Sequence, residues 1–250
     1  MRAHINETAR HSHSLWVSER FGPTFQGEGP SAGRQAVFVR LLSCNLDCGR
    51  GEGAAWSCDT PYTWDWDRFD RKAEGRRVPV RDLVSWILDR RVELMVITGG
   101  EPLLQQRRLV DLVVQVLAEG RRVEIETNGT VVPLSDLCRA NVTFNVSPKL
   151  SASGVATSRR VVDEPLRVFG RLARAGGAVF KFVVTCQAEL DEVARLVDAH
   201  ALAPVWIMPA GTDADVVLRR ARELAEPVLA RGWHLTPRLH TLLWGDARGR

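Results

Sequence analysis

Six short apolar, largely β-branched runs recur along the chain, each followed by a segment with helical periodicity. This alternation constrains the fold more than any other feature. The runs are 36–41, 93–98, 123–127, 142–146, 179–184 and 205–208. Each reads as nearly continuous apolar sequence, the pattern of parallel strands covered on both faces. Between them, Leu109, Leu112, Val113, Val116 and Leu117 form one apolar helical stripe, as do Val217, Ala221, Leu224, Ala225 and Val228. Strand, helix, strand in that order predicts βα units, and so an α/β fold with a mostly parallel sheet. No period repeats and no stretch is loose enough for a linker, so 15–250 is expected to be a single domain behind a disordered tail at 1–14. The least core-like segments are 48–72 and 152–164. Phe21 to Pro30 carries too much Gly and Pro for a strand or helix.

Composition removes several classes. With 45% hydrophobic and 26% charged residues the chain is ordinary globular material rather than disordered. No run of about 18 apolar residues exists, so no transmembrane helix is expected. The polar N-terminus lacks the apolar core of a secretory signal, which points to the cytoplasm. The formal charge is +4, but Lys and Arg are scattered beside acids with no basic stripe interleaved with aromatics, so no nucleic-acid partner is expected. Only Lys72, Lys149 and Lys181 are lysines. Where arginine is the default cation, a retained lysine suggests a need for a compact point charge.

Five cysteines cannot all pair, and Cys44, Cys48 and Cys58 fall close together. In a cytosolic chain such a cluster suggests metal chemistry before disulfides. Three thiolates on one loop suit a zinc ion or three irons of a cubane cluster, leaving one metal position open. Gly49, Gly51 and Gly53 let the long Cys48–Cys58 gap fold out as a bulge. Cys138, in a presumptive helix, and Cys186, just past a strand, read as packing residues.

Ligands of parallel α/β folds gather where strands end, and the unusual residues sit there. The runs lead into Cys44, Thr98-Gly99-Gly100-Glu101-Pro102, Glu126-Thr127-Asn128-Gly129, Ser147-Pro148-Lys149 and Met208-Pro209. Paired glycines admit a ligand close to the backbone or simply make a tight turn. Gln26 and Glu28 can read a heterocycle's donors and acceptors. Arg40, inside a strand, needs an anion: a local acid or a substrate carboxylate. Thr60 would suit a hard metal such as magnesium.

Taken together these motifs resemble the radical S-adenosylmethionine (SAM) superfamily, and within it the 7-carboxy-7-deazaguanine synthase family. The likeness rests on Phe-Gly-Pro-Thr-Phe-Gln-Gly-Glu-Gly (21–29), Phe-Val-Arg (38–40), the three cysteines, Cys-Asp-Thr-Pro-Tyr-Thr-Trp (58–64) and Thr-Gly-Gly-Glu-Pro (98–102). Glu-Thr-Asn-Gly-Thr (126–130), Ser-Pro-Lys (147–149) and His-Thr-Leu-Leu-Trp-Gly (240–245) complete the ordered set. The resemblance implies a partial (β/α)₆ barrel, a [4Fe-4S] cluster on Cys44, Cys48 and Cys58, SAM, and Mg²⁺ at Thr60. It implies conversion of 6-carboxy-5,6,7,8-tetrahydropterin to 7-carboxy-7-deazaguanine with loss of ammonia, a lyase step of queuosine-type biosynthesis. Carried over, Phe25, Gln26, Gly27, Glu28, Arg40 and Thr98 would meet the substrate. Gly100, Glu101, Ser147, Pro148, Lys149, Met208 and Pro209 would meet SAM, although Met-Pro departs from the family's Gln-Pro. The family further implies a homodimer and an electron donor such as flavodoxin or ferredoxin. One departure stands out: the family's Cys-x3-Cys-x2-Cys is here Cys-x3-Cys-x9-Cys, an insertion at about 49–56. Two other readings stay open. One is another radical SAM enzyme, such as a glycyl-radical activating enzyme, which would have no use for Gln26, Glu28 and Arg40. The other is a non-enzymatic zinc-binding α/β protein.

Overall fold

A computed structural model describes residues 13–250. One nine-stranded sheet runs through it: β1 (Ser14–Phe25), β2 (Gln35–Leu41), β3 (Arg76–Pro79), β4 (Leu94–Gly99), β5 (Arg122–Thr127), β6 (Val142–Val146), β7 (Ala178–Val184), β8 (Val205–Pro209) and β9 (His234–Leu235). The order is β3-β1-β2-β4-β5-β6-β7-β8-β9. β1 is antiparallel to both neighbours, whereas β2 and β4 to β9 pair in parallel. The main helices are α1 (Val80–Leu88), α2 (Gln106–Ala118), α3 (Asp163–Arg174), α4 (Leu190–His200), α5 (Ala214–Leu229) and α6 (Leu239–Trp244).

From β2 onward each new parallel strand is laid beside the last, in sequence order. Right-handed crossovers that all step the same way put their helices on one face of the sheet. One continuous apolar core fills that interface, with Leu83 and Ile87 of α1, Leu109 and Val116 of α2, Phe169 of α3, Val193 of α4 and Leu224 of α5. The strands contribute alternate residues: Val37, Val39 and Leu41; Met95 and Ile97; Val123 and Ile125; Phe144 and Val146; Phe180 and Phe182. With a side-chain period of two, the other face receives Arg40, Thr98, Glu124, Glu126, Asn145 and Lys181. The strands are indeed covered on both faces, but the faces differ chemically. What reads as continuous apolar sequence is an alternation, with a polar residue at every second position near the strand ends. Arg40, Thr98, Glu126 and Lys181 line a cavity instead of meeting helices, and Asn145 donates to Glu124 at 3.1 Å.

Two boundaries differ from expectation. Ser14, assigned to the tail, opens β1 and is buried; residues 1–12 of that expected tail lie outside the described residues. Phe21 to Phe25, expected to be neither strand nor helix, is the second half of β1. The register slips between Phe21 and Thr24, around Gly22-Pro23. β3 pairs only with Ser14–Val17, so the outer edge of this half is unpaired and tolerates a proline without an N–H. Segment 152–164, expected to be poorly packed, carries buried Arg160, which pairs with Glu192 at 2.9 Å and donates to the carbonyl of Lys149.

Candidate functional site

The strand ends open into a cavity of about 700 Å³ with two chemically distinct ends. At one end β2 runs out into the cysteine loop. Cys44, Cys48 and Cys58 are free thiols lining the cavity, and they share an apolar cluster with Leu46, Trp56 and Val155. The Leu46 N–H donates to Cys44 Sγ at 3.4 Å, and the Trp64 indole donates to Cys58 Sγ at 3.4 Å. Burial pushes Cys44 up to about 12, with Glu101 and the other two cysteines adding to it, and pushes Cys48 up to about 11. The lone Lys149 nearby works against the rise at Cys48.

The loop between Cys48 and Cys58 is docked. Gly49 N–H donates to Ser153 O at 2.9 Å and Ala55 N–H to Ala152 O at 2.8 Å. A Cβ on Gly51 would come within 1.9 Å of Gly154 O, so only glycine lets the two backbones approach this closely. Arg50 then bridges buried Asp65 and exposed Asp67. The loop therefore rests on the turn just past Ser147-Pro148-Lys149.

Three thiols aimed into one cavity, held in an apolar and sulfur-directed setting, fit a [4Fe-4S] cluster. Among the described residues no three His, Cys, Asp or Glu groups converge on a point as a single ion requires. A cubane asks for something else: it holds three cysteines apart, each on its own iron. The buried neutral thiols would ionise on binding, because the metal supplies the positive charge their surroundings lack.

At the other end the walls are charged and paired. Glu28 is 13% exposed at its side chain; it makes a short ion pair with Lys181 and accepts from Arg238 Nε at 3.2 Å. Burial alone would raise its pKa, but Lys181, Arg238 and His240 overcome this and hold it well below the usual carboxylate range. Arg238 reaches Asp59 at 2.5 Å and the carbonyl of Gly211 at 2.7 Å. It thereby ties the glycine-rich segment to the residue next to Cys58. Glu126 accepts from Thr98 Oγ1 at 2.7 Å and lies 3.9 Å from the Lys181 ammonium. His240 approaches Gly27, where a Cβ would sit 2.0 Å from its Nδ1. Burial lowers the His240 pKa, against the pull of Glu28.

Of the residues singled out in the sequence, Phe25, Gln26, Gly27, Glu28, Arg40, Thr98, Gly100, Ser147, Lys149, Met208, Thr60 and the three cysteines all line this cavity. Glu101, Pro148 and Pro209 do not. Glu101 is fully buried, and its carboxylate accepts from Leu103 N, Thr127 Oγ1 and Asn128 N, bracing the β4 and β5 ends. Gln26 lines the cavity, but its amide nitrogen donates to Glu124 and Glu126 and its oxygen accepts from the Glu28 N–H. Gly99 and Gly100 line the cavity, and because their Cβ positions would strike Leu41 O and Ser43 O they also let β4 close onto the cysteine loop.

Arg40, left open between two anions, meets a local acid, Glu19, at 3.2 Å, and lies over the Phe21 ring. The Lys149 ammonium contacts Ser147 Oγ at 3.1 Å. Cys186 is exposed rather than packed, and Cys138 ends a 3-10 turn, Ser135–Leu137, instead of lying in a helix. Sequence reasoning gave Asp59 no role and missed Arg238, Glu19 and the 246–250 segment, which also lines the cavity. Nothing in a chain this rich in arginine distinguishes Arg238. Lys181 did carry a signal, its rarity.

No family model matches the chain. It is 35% identical over 230 residues to the 7-carboxy-7-deazaguanine synthase of Pyrobaculum aerophilum, covering 91% of this chain and 94% of that one. With the synthase of Hyperthermus butylicus it shares 37% over 245 residues, 92% of each. The chain belongs to the 7-carboxy-7-deazaguanine synthase family. Its fold is that of QueE from Escherichia coli (TM-score 0.67, 24% identity, 93% of this chain and 98% of that one). Streptococcus suis SuiB bound to S-adenosylmethionine shares the fold more distantly (TM-score 0.55, 15% identity, 96% of this chain and 56% of that one). As a member of the 7-carboxy-7-deazaguanine synthase family the chain is a radical SAM enzyme acting on a small molecule, and its three-cysteine cavity fits the [4Fe-4S] cluster and SAM the family implies. No helix among the described residues is long and apolar enough to cross a membrane.

Proposed function

We propose that the chain converts 6-carboxy-5,6,7,8-tetrahydropterin to 7-carboxy-7-deazaguanine with loss of ammonia, in queuosine-type 7-deazapurine biosynthesis. The observation that carries this reading is a single cavity with a three-thiol end and a paired-charge end. A generic radical SAM enzyme needs the first but has no use for the second. Bound together, the cluster and SAM supply the radical chemistry, and the protein supplies position and exclusion of water.

Cys44, Cys48 and Cys58 would hold the cluster. Ser147 and Lys149, braced from behind by Arg160, would hold SAM with Gly100 and Met208; Pro148 and Pro209 shape that rim from outside the cavity. Glu101 would act indirectly, by fixing the β4 and β5 ends. Arg40 has only its Nε engaged, by Glu19, among the described residues, so its terminal nitrogens are free to clamp the substrate carboxylate. Thr98 and Glu28 would meet the pterin directly. Phe25, stacked on Trp244 with centroids 6.3 Å apart, walls the far side. Gln26 and Gly27 would contribute backbone and shape. Thr60, 3.6 Å from Cys58 Sγ, would bind Mg²⁺ between the two ends.

The sequential, one-directional strand order supports curling of the sheet into a partial (β/α)₆ barrel. The free cysteines suit a reducing compartment, the cytoplasm. A flavodoxin or ferredoxin would deliver the electron, and the family resemblance supports a homodimer. Residues 15–250 are read as one radical SAM domain. The deciding experiment is anaerobic reconstitution followed by incubation with SAM, reductant, Mg²⁺ and 6-carboxytetrahydropterin. Carboxydeazaguanine is the expected product. SAM cleavage without it would reduce the reading to another radical SAM activity.

A further inference from the structure

Lys181 is the buried charge that this account leaves without a task. It lies at the centre of Phe180-Lys181-Phe182 on β7, with its neighbours in the apolar core and its own side chain facing the cavity, 5% exposed. Its ammonium touches Glu28 and lies 3.9 Å from Glu126. These acids come from opposite parts of the chain, the glycine-rich segment before β2 and the end of β5. Burial opposes its charge, yet Glu28 and Glu126 raise its pKa. For stability alone, apolar side chains in place of the whole charged cluster would serve as well, since desolvating the charges offsets most of what their pairing returns.

The groups around the two carboxylates are few. Glu28 faces Lys181, Arg238 and His240. Glu126 faces Lys181, Thr98 Oγ1 and Gln26 Nε2. Asp59 lies beyond Arg238, and Glu124 lies beneath Gln26. Lys181 is thus the one cation within ion-pair distance of both acids among the described residues; His240 feels both, but burial favours its neutral form. Without Lys181, the two carboxylates would approach one point with no common cation between them. Losing that cation would change how the two acceptors are presented to a heterocycle edge.

We propose that Lys181 is a positioning residue for substrate recognition. It holds the Glu28 and Glu126 carboxylates side by side as a pair of acceptors, so that the site selects a heterocycle presenting adjacent N–H donors. This inference rests on the pterin reading above and deepens it by naming what sets the polarity of the recognition edge.

The test uses the reconstituted holoenzyme with SAM, Mg²⁺ and 6-carboxytetrahydropterin. Lys181→Met is expected to raise KM for the pterin about tenfold or more, with kcat nearly unchanged. Visible iron–sulfur absorbance and SAM affinity should match wild type. Lys181→Arg, which keeps the charge, should recover most of the lost KM. If the Met variant does not fold, Lys181→Gln, a donor without charge, is read the same way. A folded, cluster-loaded neutral variant with wild-type KM overturns the proposal, as does failure of the Arg variant to improve on it. Wild-type enzyme that makes no carboxydeazaguanine overturns the functional reading itself, a separate and visible outcome.

Discussion

The two ends of the cavity are built on opposite principles. The charged end is paired in itself: Glu28, Lys181, Arg238, Glu126 and Asp59 pair with one another from five separate stretches of chain. The thiol end is not. Three thiols share an apolar pocket, and burial keeps at least two of them protonated far above neutral pH. One region is preorganised by its own charges; the other acquires its charge balance when metal displaces the thiol protons. A substrate site must discriminate before anything else binds, whereas a cluster site has to be assembled once.

The sharpest way to break this comparison is at the thiol end. Cys48→Ala is expected to abolish iron loading and turnover together, because no other local cysteine can serve as ligand. Iron and sulfide analysis checks it, and a fully loaded variant would move the middle ligand elsewhere. Arg40→Lys probes the charged end. A point charge cannot replace a fork that serves Glu19 and a substrate carboxylate together, so kcat/KM should fall roughly ten- to a hundredfold. Iron content should stay at the wild-type level, and unchanged kinetics would remove Arg40 from the clamp.

Gly51→Ala tests whether the Cys48–Cys58 loop's docking matters to the thiol end. Its methyl would collide with Gly154 O, a strain of about 1–3 kcal/mol, lowering Tm and iron retention on anaerobic desalting. Retention and Tm equal to wild type would show that the docking is dispensable. The smallest effect is electrostatic. Glu28 is held well below its ordinary value of 4.5, so its contribution to stability is fully present above about pH 4.5 and is lost as the pH falls further. Denaturant unfolding of wild type between pH 7 and pH 3 should show this loss, and Glu28→Gln should show less of it. Identical pH slopes in the two proteins would remove Glu28 from the network.

The six long parallel strands were legible from their apolar runs, and the three cysteines from their spacing. The first strand was not. Gly22 and Pro23 argue against a strand locally, and only the unpaired outer edge beyond Val17 makes them acceptable. The polar alternation was equally hidden, because one glutamate, asparagine or lysine among valines and phenylalanines reads as an interruption until its face is known. Gly99-Gly100 stood open in the sequence between a ligand contact and a tight turn. The pair lines the cavity and also uses its freedom to seat Leu41 and the cysteine loop.

The sequence by itself determined the α/β class, the cysteine set and the family, because each rests on local periodicity or on ordered short motifs. Only the tertiary structure decided which charges meet. Glu28 and Lys181 are 153 residues apart, and Arg238 and Asp59 are 179 apart. Partnerships over that range depend on how the strands stack, and no local propensity encodes them. The same holds for the loop between Cys48 and Cys58: its glycines announce freedom, but their use, a backbone laid against Gly154, is set by the turn beyond Lys149 on which it comes to rest.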